Sequence, residues 1–151
     1  MSLPARVLAA FPGIVESECL HTSPEDRRYN CIAHAAGDHR RWWQPEKVPH
    51  TYWPKGILRT STLDAYEAAF GTLGYVRCAN DSLEPGLEKV AIFMNPTKGP
   101  THAARQLEDG PWTSKLGLLE DIGHPLRQVE GHVYGVVATF MSRPRKKVTS
   151  P

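Results

Sequence analysis

The chain lacks the devices that usually hold a small secreted domain together. Its cysteines, Cys19, Cys31 and Cys78, are three in number. A disulfide framework consumes cysteines in pairs, so an odd count argues against one and for a reducing compartment. No stretch approaches the ~18 apolar residues of a membrane-spanning helix. The run 3–11, with Arg6 in it, is too short for a persuasive signal peptide and no small-residue cleavage site follows it, so a secretory signal is not expected there. The expectation is a cytoplasmic protein, or one delivered by a secretion machine without a cleavable signal. Net charge is only +2, which gives no general attraction to nucleic acid. The basic excess sits in Arg143-Pro144-Arg145-Lys146-Lys147. Apart from that end there is no low-complexity segment, and there is no internal repeat.

What is present fits one domain. A chain of 151 residues buries roughly two-thirds of its unfolded surface, so neither disulfide nor metal is required for folding. Thirteen prolines and twelve glycines make it rich in loops. We expect a single domain over 1–142 and a disordered basic tail over 143–151.

Apolar residues Leu3, Val7, Leu8 and Phe11 have helical spacing, and Pro12-Gly13 ends the run. Ser23-Pro24-Glu25-Asp26 has the pattern of a helical first turn. A helix over 31–36 stops at Gly37. Residues 38–57 form a long aromatic loop broken by Pro45, Pro49 and Pro54. Ser61 or Thr62 caps a helix with Leu63, Tyr66, Phe70 and Leu73 on one face. Strands are expected at about 75–79, 88–95, 101–107, 112–116 and 133–141, with Glu108-Asp109-Gly110-Pro111 as a hairpin turn. Helices followed by a run of antiparallel strands define an α+β fold, a sheet or half-barrel packed against N-terminal helices.

The chemistry centres on Cys31, at the start of the small-residue segment Cys31-Ile32-Ala33-His34-Ala35-Ala36. A helix N-terminus favours a thiolate through its free N–H groups and dipole. His102 heads the strand Thr101-His102-Ala103-Ala104-Arg105-Gln106 and is the candidate general base. Such a base needs a third polar group to hold its tautomer. Ser114 on the next strand and Asp121 are the candidates, with His124 behind them. The backbone N–H of Cys31 and the Asn30 amide are candidate oxyanion donors. Trp42, Trp43 and Trp53 in the aromatic loop, together with Lys115, are candidate substrate-binding groups. No cofactor or metal is called for.

These residues bear a family resemblance. Tyr29-Asn30-Cys31-Ile32-Ala33 resembles the nucleophile helix start of papain-like and NlpC/P60-like cysteine hydrolases. The strand 89–94 followed by Thr101-His102-Ala103-Ala104-Arg105 is similar to their two central strands. Trp112-Thr113-Ser114-Lys115-Leu116-Gly117 is similar in position to the strand carrying their third polar residue. The resemblance covers about 29–117. It implies a half-barrel of antiparallel strands on the nucleophile helix, and a thiol hydrolase acting on an amide. Peptidase, amidase and glutamine deamidase are all open, with a protein or peptide substrate, no membrane partner, and a role as toxin, effector or regulator.

Two alternatives compete. One is a non-catalytic protein-binding or immunity-type module, in which Cys31 is an ordinary buried thiol. The other is a small nucleic-acid-binding domain stabilised by zinc on Cys19, His21, Cys31 and His34. The sequence leaves the oligomeric state open.

Overall fold

In the computed structural model, residues 3–116 and 120–145 are described. A seven-stranded sheet organises them, in the order β1-β8-β7-β6-β5-β9-β4. The strands are β1 (Leu20–Ser23), β4 (Val76–Cys78), β5 (Leu87–Asn95), β6 (Gly99–Gln106), β7 (Trp112–Lys115), β8 (Asp121–His124) and β9 (Val136–Pro144). Every pairing in it is antiparallel. A two-stranded parallel ribbon, β2 (Trp42–Trp43) with β3 (Thr51–Tyr52), lies outside it. The α+β class is therefore as expected. The helices α1 (Ala5–Ala10), α2 (Cys31–Ala36) and α3 (Leu63–Gly71) alternate with the first strands, which corrects the expected order of helices first and strands afterwards.

Two cores flank the sheet. On one face, Ile32, Ala33 and Ala35 of α2 and Tyr66 and Phe70 of α3 pack on Val90, Ile92, Ala103 and Met141. On the other, Val7 of α1 and Leu126 and Val129 of a 3-10 turn pack on Phe93, Ala104, Trp112 and Ile122. Paired residues on neighbouring strands share a face, and the face alternates along each strand. The pairings Ser114↔Ile122 and Lys115↔Asp121 thus send Ser114 and His124 to one face, Lys115 and Asp121 to the other.

Local chemistry fixes α2. Asn30 is its N-cap, its Oδ1 accepting from the Ala33 N–H at 3.1 Å. Gly37, at φ 86°, closes the helix in the left-handed conformation. The turn of helix expected at Ser23–Asp26 does not form. Ser23 instead ends the edge strand β1, and Asp26 accepts from the Arg28 N–H.

The expected tail boundary also moves. β9 continues to Pro144, and Arg143 and Arg145 converge with Arg105 on the Glu88 carboxylate. The remaining part of the expected tail, 146–151, lies outside the described residues.

Candidate active site

Cys31 is the first residue of α2, and its Sγ lies 3.9 Å from the Thr101 carbonyl oxygen. It reaches that position because β6 and β7 share only two register pairs among the described residues, Arg105↔Thr113 and Gln106↔Trp112. Beyond them the thiol lies against the β6 backbone. Burial pushes its pKa up to about 11. The N–H groups of Ala103, Ile32 and Cys31 itself, and the charge of Lys115, oppose that shift. The sulfur therefore rests against the backbone on both sides of His102.

His102 is fully buried. Its ring lies edge-on to Phe93 and flat beneath Tyr134, with centroids 3.9 Å apart and planes 10° apart. His102 Nε2 is 2.9 Å from Ser114 Oγ. His102 Nδ1 has no hydrogen-bond partner among the described residues. Burial, with the nearby His124 and His34 rings, holds the imidazole well below its ordinary pKa. Burial also raises the Tyr134 hydroxyl well above its usual range, and the charge of a Cys31 thiolate adds to that. Burial thus favours the neutral form of both the thiol and the imidazole.

Register decides between the candidate third groups. Ser114 faces His102, and its Oγ is also 2.7 Å from His124 Nε2. Asp121 lies on the opposite face of the sheet, where it accepts from the Tyr29 hydroxyl at 2.7 Å and stands 3.7 Å from His34 Nδ1. His34 is in turn 2.9 Å from Thr113 Oγ1 and 3.0 Å from His39 Nε2. Asp121 thus belongs to a second buried network beneath α2 and is not brought to His102.

Other sequence-derived candidates have structural duties. The Asn30 amide is committed: Oδ1 accepts from Ala33 and Trp43 N–H groups, and Nδ2 donates to the Trp43 carbonyl. It ties α2 to β2, so the oxyanion role expected of it is corrected. Trp43 and Trp53 are buried in the α2-side core, stacked edge-on. Trp42 is half-buried and donates to Gln44. Lys115 is buried with Nζ 4.9 Å from the centre of the Tyr29 ring, on the Asp121 face. Of these four, Trp43 lines a cavity of about 690 Å³ at the far end of α2, with Gly37, His39, Arg40, Arg41 and Leu73.

Sequence reasoning missed Tyr134, which no local pattern ties to His102. It named His124 without its link through Ser114. The zinc alternative is not assembled. Cys19 points to Gln128, and His21 bonds the Ser23 carbonyl. Among the described residues no group of three or more His, Cys, Asp or Glu side chains is placed to hold a metal ion. No helix among them is long and apolar enough to cross a membrane.

The molecule is an α+β domain in which the buried Cys31 thiol packs with the α2-side core against the β6 backbone and the buried His102 ring packs with the opposite core. Residues 20–142 match the model of a domain of unknown function, DUF7689, and the chain belongs to that family. No curated protein and no solved structure matches the chain.

Proposed function

We propose that the chain is a papain-like cysteine hydrolase that attacks an amide, with Cys31 as nucleophile and the Nδ1 atom of His102 as base. One observation carries this reading. The thiol rests against the backbone flanking an imidazole whose Nε2 is engaged by Ser114 and whose Nδ1 is free of any described partner. A general base needs a free lone pair that can reach the proton it takes. Cys31 packs in the α2-side core and the His102 ring packs on Phe93 and Tyr134 of the other, so the transfer requires the two groups to approach across the β6 backbone.

The steps balance as acyl transfer. The thiol proton passes to His102 Nδ1 as sulfur bonds the carbonyl carbon. Backbone N–H groups at the start of α2 receive the developing oxyanion. The C–N bond then breaks and the proton leaves on the amine. Water attacks the thioester, giving a proton to Nδ1 that returns to the sulfur as the acid departs. The substrate class is a peptide bond or a glutamine side-chain amide of a protein or peptide. Cys31 is 8% exposed and His102 0%, so substrate entry requires Tyr134 to move off the ring.

The test is acyl trapping. Incubation with an activated peptide ester, followed by intact-mass and peptide mapping, should show one acyl group on Cys31. Cys31→Ala and His102→Ala should both lose it. Equal acylation in the His102 variant would remove the catalytic reading. That outcome would favour the second reading, a protein-binding module, which draws support from the same burial of both groups.

A further inference from the structure

The unused groups around His102 form a chain of defined direction. His124 Nδ1 is 2.7 Å from the Pro125 carbonyl oxygen, His124 Nε2 is 2.7 Å from Ser114 Oγ, and Ser114 Oγ is 2.9 Å from His102 Nε2. A carbonyl oxygen only accepts, so the proton of a neutral His124 sits on Nδ1. Its Nε2 is then an acceptor and takes the single hydroxyl proton of Ser114. Ser114 Oγ, having spent that proton, can only accept from His102. The proton of His102 must therefore sit on Nε2, which leaves Nδ1 as the bare lone pair. The opposite tautomer would set two lone pairs against each other at a 2.9 Å contact in a site closed to water.

We propose that His124 is a positioning residue, which acts through Ser114 and is itself polarised by the Pro125 carbonyl to hold His102 in the tautomer whose Nδ1 is unprotonated. The role of that tautomer as base rests on the proposed hydrolase reading. The direction of the chain does not. Burial holds His124 down to about 4, so it stays neutral at physiological pH and the chain keeps its sense. The chain also survives the catalytic cycle. When His102 takes a second proton on Nδ1, its Nε2–H goes on donating to Ser114 and no hydroxyl must rotate. A serine joined to a second imidazole thus does the work that a carboxylate or amide does elsewhere.

The experiment is long-range proton–nitrogen correlation NMR on protein labelled with nitrogen-15 in the histidine rings, at pH 7. In the unaltered protein His102 should appear as a single neutral tautomer protonated on Nε2, and His124 as one protonated on Nδ1. A His102 ring protonated on Nδ1 in the unaltered protein overturns the proposal without recourse to any variant. In His124→Ala the exclusive Nε2–H form should give way to a mixture. His124→Gln, whose amide can donate to Pro125 and accept from Ser114, should restore it. An unchanged His102 tautomer in a folded His124→Ala protein also overturns it. If the tautomers are as stated but no acyl group reaches Cys31 in the trapping experiment, the positioning stands and only the hydrolase reading falls.

Discussion

Tyr134 lies flat on His102, ring on ring, with its carbonyl accepting from the Thr101 hydroxyl. The contact seals the imidazole from solvent. The segment between Gly131 and Gly135 that carries Tyr134 closes on itself through two backbone hydrogen bonds between the glycines. Tyr134→Ala should therefore raise the rate at which iodoacetamide labels Cys31 at pH 9, several-fold over the unaltered protein, by peptide mass spectrometry. The same change should lower stability by about 3 kcal/mol through loss of a large buried side chain. Unchanged labelling would show that access to the thiol runs elsewhere.

Gly135 sets where that segment begins its return. Its φ is 74°, and a Cβ there would lie 2.1 Å from the Met94 carbonyl oxygen. Gly135→Ala should destabilise by more than about 1 kcal/mol, since both the left-handed backbone and the clash oppose it. Urea unfolding checks this, and a labelling rate at Cys31 raised as in Tyr134→Ala should accompany it.

Acid should unfold the protein through its buried imidazoles. His34 and His124 are held down to about 4 by burial, from an ordinary 6.5. The unfolded chain then binds protons that the native one refuses, so stability is complete above about 6.5 and falls as pH drops toward 4. The urea midpoint should decline across that window, and His124→Gln should flatten part of the decline. A midpoint level from pH 7 to pH 4 would contradict the buried neutral state.

Glu88 holds three guanidinium groups at the ends of β5, β6 and β9. Its Oε1 accepts from Arg143 at 2.7 and 2.9 Å and from the Tyr75 hydroxyl, while Oε2 faces Arg145 and Arg105. Glu88→Gln leaves half-buried positive charges facing one another and should cost about 3–5 kcal/mol, read from denaturant unfolding. Loss of less than about 1 kcal/mol, the range of an exposed pair, would show that water already screens the cluster.

Much of this was legible in the sequence where local rules decide. The bounds of α2 follow from Asn30 and Gly37, and the hairpin between β6 and β7 from Asp109-Gly110-Pro111. Tyr66 and Phe70 face the core as their spacing requires. β8 was missed because Asp121-Ile122-Gly123-His124 has no alternation and its glycine lies under Leu20 of β1. The choice between Ser114 and Asp121 could not be read, because a shift of one residue in register exchanges the faces. The tryptophans looked like a binding surface because burial depends on how a loop folds back, and nothing local encodes that. Tyr134, thirty-two residues beyond His102, meets it only through the return of the chain into β9.

The most direct measurement is the rate of Cys31 alkylation against pH, in the unaltered protein and in His102→Ala. A thiol served by a neighbouring base should react at pH 7 and lose that reactivity by about 10-fold or more without the imidazole. Identical profiles for both proteins would mean that His102 takes no proton from Cys31.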